Sequence, residues 1–399
     1  MPLAVYILGL SIFAQGTSEL MLAGFLPEMA TDLGVSVPEA GLLISAFAIG
    51  MLVGAPVLAA LTLRLPRRTV LLAFMAIFAL SHVAGALTSS YGMLFATRVV
   101  GAFVYAGFWA VAAGTAIGLV PANARAKAMS VLAGGLTVAT IIGLSLGTVI
   151  GQHLGWRAAF WAVAGLSALA GVGVLLTIPG GRPEAGAVPR VSAELRAMVN
   201  PRLWLAYGTT ALTTGALLSS FSYLSALLVG TTGLDSAWVP AVLALYGAGA
   251  LIGITIGGRI ADARPFTVLF TGVTGLILTS AALAASAPVA LLTVPLVFLL
   301  GAFGFGTNPA LNARPFALAR NAPTLAAALN VSSFNVGITA GPWLGGLAIA
   351  GGLGYPSVAW IGAAIGVAAL GAVALSAGLA RTSVAHQERA EVGEIRSAV

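Results

Sequence analysis

One carboxylate, Glu19, stands where almost nothing else is charged: GTSEL, residues 16–20, lies between the apolar flanks YILGLSIFAQ and MLAGFLP. On a helix Ser11, Gln15 and Glu19 recur at four-residue steps and share a face, with Ser18 beside it. A carboxylate in such a place can handle protons. Burial raises a carboxyl pKa and a nearby guanidinium lowers it, so a group balanced between the two exchanges a proton as its access to water changes. The matching guanidinium is Arg98, which cannot be deprotonated and serves as a fixed counter-charge.

The elements that must hold this pair are membrane helices. Hydrophobic residues make up 59% of the 399 and charged residues only 7%, with a mean hydropathy of +1.04. A soluble domain carries about 25% charged residues on its water-facing surface, so the composition excludes one. Apolar stretches near twenty residues recur along the chain, as helical spans require. The first has no positive n-region and is interrupted by Glu19, so it reads as a retained helix rather than a cleaved signal peptide. Without cysteine there are no disulfides and no thiolate metal sites.

Twelve spans are predicted. Six lie near 3–27, 38–62, 69–88, 92–120, 128–152 and 158–178, and six near 203–229, 237–260, 266–284, 289–312, 323–350 and 355–379. The fold class is all-α: an N-terminal six-helix bundle (1–178), a linker rich in Pro, Gly and charge (179–202), a C-terminal six-helix bundle (203–380) and a polar tail (381–399). The tail reads as a short helix or as unstructured. At ~1.5 Å per residue, Glu19 lies roughly 12 Å and Arg98 roughly 9 Å below the same membrane face. They are the formal charges well inside the bilayer, where an ionisable group faces a cavity or a partner and marks an ion or substrate pathway.

The net charge of +7 invites a nucleic-acid reading, but the positions of the charges oppose it. With the N-terminus inside, 16 of the 18 basic residues fall in cytoplasmic loops and tails. Arg157 lies on the opposite face and Arg98 within a span. The positive-inside rule then puts both termini in the cytoplasm. The halves also echo one another. Gly143 and Gly147 match Gly341 and Gly345 at a spacing of 198, and Pro66 matches Pro265 at 199. A shift of half the chain with an even number of spans per half gives two parallel repeats, the plan of secondary transporters whose substrate site lies between the halves.

Tyr105 and Trp109 in the fourth span, Phe221 and Tyr223 in the seventh, Asn308 in the tenth, and Asn330 and Asn335 in the eleventh are expected to line that site or to pack between helices. GLSLG at 143–147 fits the G-x-S-x-G hydrolase elbow, yet it lies inside an apolar helix with no histidine and acid converging on Ser145, so no catalytic residue is assigned. Gly143, Gly147 and Gly151 read instead as small-residue steps for close helix approach, repeated at Gly337, Gly341 and Gly345 and at Gly249, Gly253 and Gly257. Such faces suit helices that slide or rock. No nucleotide-binding loop or metal motif occurs; no cofactor or metal is expected, and an ion gradient is the remaining energy source.

Taken together, FAQGTSELMLAGFLPEMATDLGVSVPEAGLLISAFAIGMLVGAP, then GWRAAFWAV at 155–163 and GGRIADARPF at 257–266, give the chain a resemblance to the major facilitator superfamily. Within it the chain looks like the twelve-span drug:proton antiporters, specifically the actinobacterial chloramphenicol-resistance exporters. The loop after the second span, AALTLRLPRR at 59–68, keeps the family's Arg64, Arg67 and Arg68 but has Ala59 and Leu63 where Gly and Asp are expected. The second-half copy keeps Gly258 and Asp262, and these five residues are implied to form gating loops. In the fifth span Ser145 takes the place of the usual Pro. The resemblance implies alternating access, export of chloramphenicol or a related small amphipathic antibiotic against protons, Glu19 and Arg98 in proton coupling, and a monomer in the cell membrane. It implies a substrate cavity of Ser11, Gln15, Ser18, Tyr105, Phe221, Tyr223 and Asn335. A sugar or nucleoside exporter of the same fold is the alternative, and a non-transporting sensor or scaffold a further one.

Overall fold

A computed structural model describes the chain from Met1 to Ser397 except residues 63–64, 122–123, 181–198, 262 and 320–322. The first span is broken. Helix α1 (Leu3–Leu20) passes through a 3-10 turn, Met21–Gly24, into α2 (Leu26–Leu33). Gly34, at φ 65°, stops α2 in a left-handed conformation that a side chain would disfavour. Then follow α3 (Val37–Thr62), α4 (Arg67–Leu87) and α5 (Tyr91–Gly118). A capping box starts α3, with the Ser36 backbone N–H and hydroxyl each donating to the Glu39 carboxylate at 2.7 Å. The fifth span consists of α6 (Arg125–Val138), a π-helical turn (Ala139–Gly143) and α7 (Leu144–Leu154); the sixth is α8 (Trp156–Thr177).

The second half repeats the plan. The seventh span is α9 (Pro201–Ser222) and α10 (Leu224–Gly230), broken at Tyr223. Asn200 caps α9, accepting from the Arg202 N–H at 3.0 Å, and Pro201 takes the first helical position, where no N–H is needed. Next come α11 (Val239–Ala261), α12 (Pro265–Ala285), α13 (Ala290–Gly306) with α14 (Asn308–Leu318), α15 (Pro323–Ala350) and α16 (Pro356–Ser397). Among the described residues, 11 segments are long and apolar enough to cross a membrane. They match the predicted spans except the eleventh, where α15 has the length, 28 residues, but is diluted by Asn330, Ser332, Ser333 and Asn335. The tail does not stop at a short helix: α16 runs on as one helix of 42 residues.

Close approach of helix backbones makes the repeat visible in space. A Cβ on Gly50 or Gly54 of α3 would fall 2.4 Å from the carbonyl oxygens of Val99 or Phe103 on α5. In the second half a Cβ on Gly249 or Gly253 of α11 would fall 2.1 and 2.0 Å from those of Phe298 and Ala302 on α13. Every member of the second set stands 199 residues after its counterpart. Without a hydrophobic drive between helices in lipid, such glycines let backbones meet and gain dispersion contact. This corrects one expectation. Gly249, Gly253 and Gly257 meet α13, and Gly337 and Gly341 meet α9, so these stripes join helices within the second half. Gly143 and Gly151 likewise meet Thr17 and Phe25 of the first span. The glycine faces hold each bundle rigid rather than forming a surface along which the halves slide.

Contacts between the halves come from other residues. Helix α3 lies along α15, where the Ser45 hydroxyl donates to Thr339 O at 3.0 Å. The π-helical turn of the fifth span meets α11, whose Gly247 would bring a Cβ within 2.7 Å of Ile141 Cα. At the end of the bundle remote from Leu3, Ser225 donates to Ala23 O at 2.6 Å and Gln152 to Ser236 O at 2.9 Å. That end is sealed.

Candidate functional site

Glu19 sits at the last turn of α1, just before the 3-10 break. Of Ser11, Gln15, Ser18 and Glu19, it alone keeps solvent-exposed surface. Ser11 donates to Ile7 O of its own helix at 2.9 Å, and Gln15 donates to the Met75 sulfur on α4 at 3.1 Å. The shared face expected from the four-residue spacing is therefore turned largely into the first bundle, with the carboxylate at its edge.

Arg98 lies on α5 and is only 2% exposed. Its Nη1 donates to the Ser18 carbonyl at 3.0 Å and to the Ser18 hydroxyl at 2.8 Å, and its Nε to Leu43 O of α3 at 3.5 Å. Phe47 lies under the guanidinium with its ring centroid 4.3 Å away, a cation–π contact. Nη2 has no hydrogen-bond partner among the described residues. The two opposite charges are near enough to attract one another, yet among the described residues Arg157 with Asp32 is the one ion pair. Arg98 grips the residue before Glu19, not Glu19 itself.

Sequence reasoning passed over His82 of α4, 3% exposed. Its Nε2 lies 2.5 Å from Ser18 Oγ and its Nδ1 2.8 Å from Phe78 O, and its ring packs 4.3 Å from that of Phe78 and 5.5 Å from that of Phe160 on α8. An imidazole inside a span was the signal available, since a polar ionisable group there is costly unless it has a task or a partner.

The other expected residues are dispersed. Tyr105, one face of α5 with Arg98, accepts a hydrogen bond from Trp109 Nε1 at 3.0 Å and has no exposed surface. Phe221 is stacked on Tyr246 at 4.4 Å. Tyr223 is wholly buried at the sealed end and donates to Pro342 O at 3.0 Å. Its hydroxyl occupies space left by two glycines: a Cβ on Gly41 of α3 would come within 2.2 Å of it and one on Gly346 of α15 within 2.6 Å. The ring is thus wedged between the halves. Asn335 donates to Val331 O at 2.9 Å, while its buried Oδ1 has no partner among the described residues. Asn330 joins Asn312, at 2.9 Å, and Thr210 in a small network of the second bundle.

Among the loop residues, Arg67 Nη1 donates to Gly114 O near the end of α5 at 2.9 Å. A Cβ on Gly180 would come within 3.6 Å of Arg68 Nη1, and one on Gly258 would lie 3.9 Å from Pro309. Arg64 and Asp262 lie outside the described residues. At the sealed end Asp32 accepts from Trp156 Nε1 at 3.0 Å and from Arg157, which also donates to Thr88 O at 3.2 Å. These bonds, from Arg157 first and then Trp156, hold the Asp32 carboxyl below its usual range. The clasp ties α2 to the start of α8 and the end of α4.

Comparison with known proteins follows from this geometry. Residues 8–332 match the family described as Major Facilitator Superfamily. The chain is 47% identical to a chloramphenicol resistance protein of Streptomyces lividans over 86% of this chain and 88% of that one. It is 34% identical to the inner membrane transport protein YdhP of Escherichia coli K12, covering 93% and 95%. Two solved structures share the fold at lower identity. The nucleoside transporter NupG matches with a TM-score of 0.72 and 16% identity, covering 94% of this chain and 99% of that one. A bacterial homologue of the human lysosomal transporter Spinster, inward-facing and unoccupied, matches at 0.71 and 17%, covering 94% of each. With two bundles of the same internal plan, a contact surface between them and a family match across most of its length, the chain is a multi-pass membrane transporter, not an enzyme, and it belongs to the major facilitator superfamily.

Proposed function

We propose that the protein exports chloramphenicol or a related small amphipathic antibiotic in exchange for protons, by alternating access. The observation that carries this reading is Glu19: a carboxylate deep in a span, exposed at one edge, beside a guanidinium anchored on the neighbouring residue. The relative from Streptomyces lividans supports the choice of drug. In one state Glu19 takes up a proton; in the other it releases it and the drug binds, with Arg98 as the fixed charge that biases the exchange. Asn335, whose buried Oδ1 has no donor among the described residues, is the strongest of the expected cavity residues, since a ligand hydroxyl or amide N–H would satisfy it.

The protein works as a monomer, and both termini lie in the cytoplasm, a placement that the positive-inside rule supports. The sealed end is then the outer one, and the state described here is closed to the outside. Tyr223 acts there as a gate residue, and Arg64, Arg67, Arg68, Gly258 and Asp262 belong to the opposite, cytoplasmic gate. One proton moving down 100 mV supplies roughly 2.3 kcal/mol. At about 1.4 kcal/mol per tenfold, that sustains a gradient of roughly fifty-fold for a neutral drug, which is useful resistance.

The test is drug uptake into liposomes holding purified protein under an imposed pH gradient, run with a panel of antibiotics, sugars and nucleosides. Accumulation of chloramphenicol that collapses when the gradient is dissipated supports the reading. Gradient-driven movement of a sugar or nucleoside with none of the antibiotic would replace it.

A further inference from the structure

His82 is a buried ionisable group of the first bundle to which the proton exchange proposed above gives no task. Its surroundings fix its state. Phe78 O can only accept, so Nδ1, 2.8 Å away, carries the hydrogen. A guanidinium can only donate, so Ser18 Oγ accepts from Arg98 Nη1 at 2.8 Å and turns its own hydrogen elsewhere. The acceptor in line is His82 Nε2, 2.5 Å from Ser18 Oγ. The chain of bonds therefore runs in one direction: Arg98 to Ser18, Ser18 to His82, His82 to Phe78 O.

We infer that neutral His82 is a positioning residue for Arg98: by accepting from Ser18 it keeps the serine oxygen turned to the guanidinium, and so holds Arg98 on Ser18 and off Glu19. The inference rests on the proton-exchange reading of Glu19 and Arg98. The charged group acting on His82 is Arg98 on α5; Glu19 follows Ser18 on α1, and Tyr105 lies about two turns beyond Arg98 on α5. From α8 it meets Phe160, which is apolar. A proton added at Nε2 would turn that nitrogen into a donor. Ser18 Oγ would then receive two donors, its own hydrogen would have to find another acceptor, and two cations would share one enclosed site. The guanidinium would keep the Ser18 and Leu43 carbonyls, and its Nη2, unpartnered among the described residues, would be the group to turn to the adjacent Glu19 carboxylate.

Two measurements on the full-length protein test this. The first is the nitrogen NMR signature of the His82 ring at neutral pH, with His153 and His386 replaced. A hydrogen on Nδ1 with a bare Nε2 is expected; a hydrogen on Nε2 overturns the inference. The second is the pH profile of drug transport. His82→Phe removes the acceptor and frees Arg98 to approach Glu19, so the midpoint moves to lower pH by about one unit, the scale on which a nearby charge acts. His82→Gln, whose amide oxygen can still accept from Ser18, restores the wild-type midpoint. Ser18→Ala gives the same shift as His82→Phe and remains informative should that variant fail to fold. A structural role alone would lower folded yield and leave the midpoint of His82→Phe or Ser18→Ala in place, and that result overturns the inference. Absence of any proton-driven transport by the wild type is a different outcome, which removes the functional reading first.

Discussion

The two halves share a backbone plan and divide the chemistry. At a spacing of 199 the glycines Gly50 and Gly54 have their counterparts in Gly249 and Gly253, facing carbonyls at the same spacing. The same shift carries Glu19 to Leu218 and Arg98 to Val297, both buried and apolar. The first bundle thus holds a carboxylate, a guanidinium and an imidazole around Ser18, and the second holds amides and hydroxyls at Asn330, Asn312, Thr210 and Asn335. Packing was kept in both copies, while among the described residues the cluster of carboxylate, guanidinium and imidazole stands in the first alone; a part-buried cation of the second, Arg314 of α14, lies over the Phe266 ring and donates to Ser376. Under the proposed alternating access, rocking one bundle against the other would change the access of the Glu19 and Arg98 centre in the first bundle.

The largest effect separating the halves should come from their equivalent buried positions. Arg98→Ala leaves Glu19 without a counter-charge and Ser18 without its donor, and loses about 3–5 kcal/mol, the scale for breaking a buried charged group's partnership. Val297→Ala removes only two methyl groups, so it costs about 1–2 kcal/mol through transfer and cavity terms. Equal losses in denaturant unfolding in detergent would erase the distinction. The glycines should behave alike in both halves. Gly50→Ala and Gly249→Ala each push a Cβ against a backbone carbonyl and cost about 1–3 kcal/mol, read as a drop in melting temperature; a loss at one site alone would contradict the shared plan.

The surface between the halves offers a gentler test. Gly41→Ala has no room beside the Tyr223 hydroxyl, so the sealed end should open in a larger share of molecules. Because the natural chain has no cysteine, a single Ser225→Cys reports this directly: adding Gly41→Ala should raise its thiol-labelling rate by about tenfold, the result of a ~1.4 kcal/mol shift. An unchanged rate would remove Tyr223 from the seal. The smallest effect belongs to the Asp32 clasp, which the second half lacks, since Arg157 maps to Pro356. Asp32→Asn should cost about 0.2–1 kcal/mol at pH 7, as exposed ion pairs do. The folded-state pKa of Asp32 is lowered, so its stabilisation is full above the unfolded value near ~3.9 and fades as pH falls through the folded one. Wild type and variant should therefore converge in melting temperature in acid; a gap that persists or widens there would exclude the clasp as its source.

Much of the frame was legible in the residues. Apolar length, turn residues and charge clusters located the spans, and the spacing of prolines and glycines revealed the repeat, because these signals are local along the chain. The break after Glu19 and the one at Tyr223 were not legible. Nothing in TSELMLAGF interrupts a helix by composition; the turn depends on packing against the seventh span at Ala23 and Ser225. The π-helical turn at Ala139–Gly143 stands in the span where Ser145 takes the place of the usual proline, and apolar periodicity gives no sign of its wider turn. The glycine stripes are legible as sites of close helix approach, but periodicity names no partner helix, and the contacts lie within each half rather than on a sliding face. Depth arithmetic put Glu19 and Arg98 at one level of the bilayer. It could not give the rotation of each helix, and that rotation aims the guanidinium at Ser18 and brings His82 to the same hydroxyl.

Proton release on drug binding tests the central claim most directly. Purified protein is titrated with chloramphenicol in buffers of different ionisation enthalpy, and the dependence of the heat on buffer gives the protons exchanged. The account predicts that wild-type protein sheds protons to the buffer as the drug binds, while Glu19→Gln binds the drug with none shed. Equal release by the two proteins would contradict it.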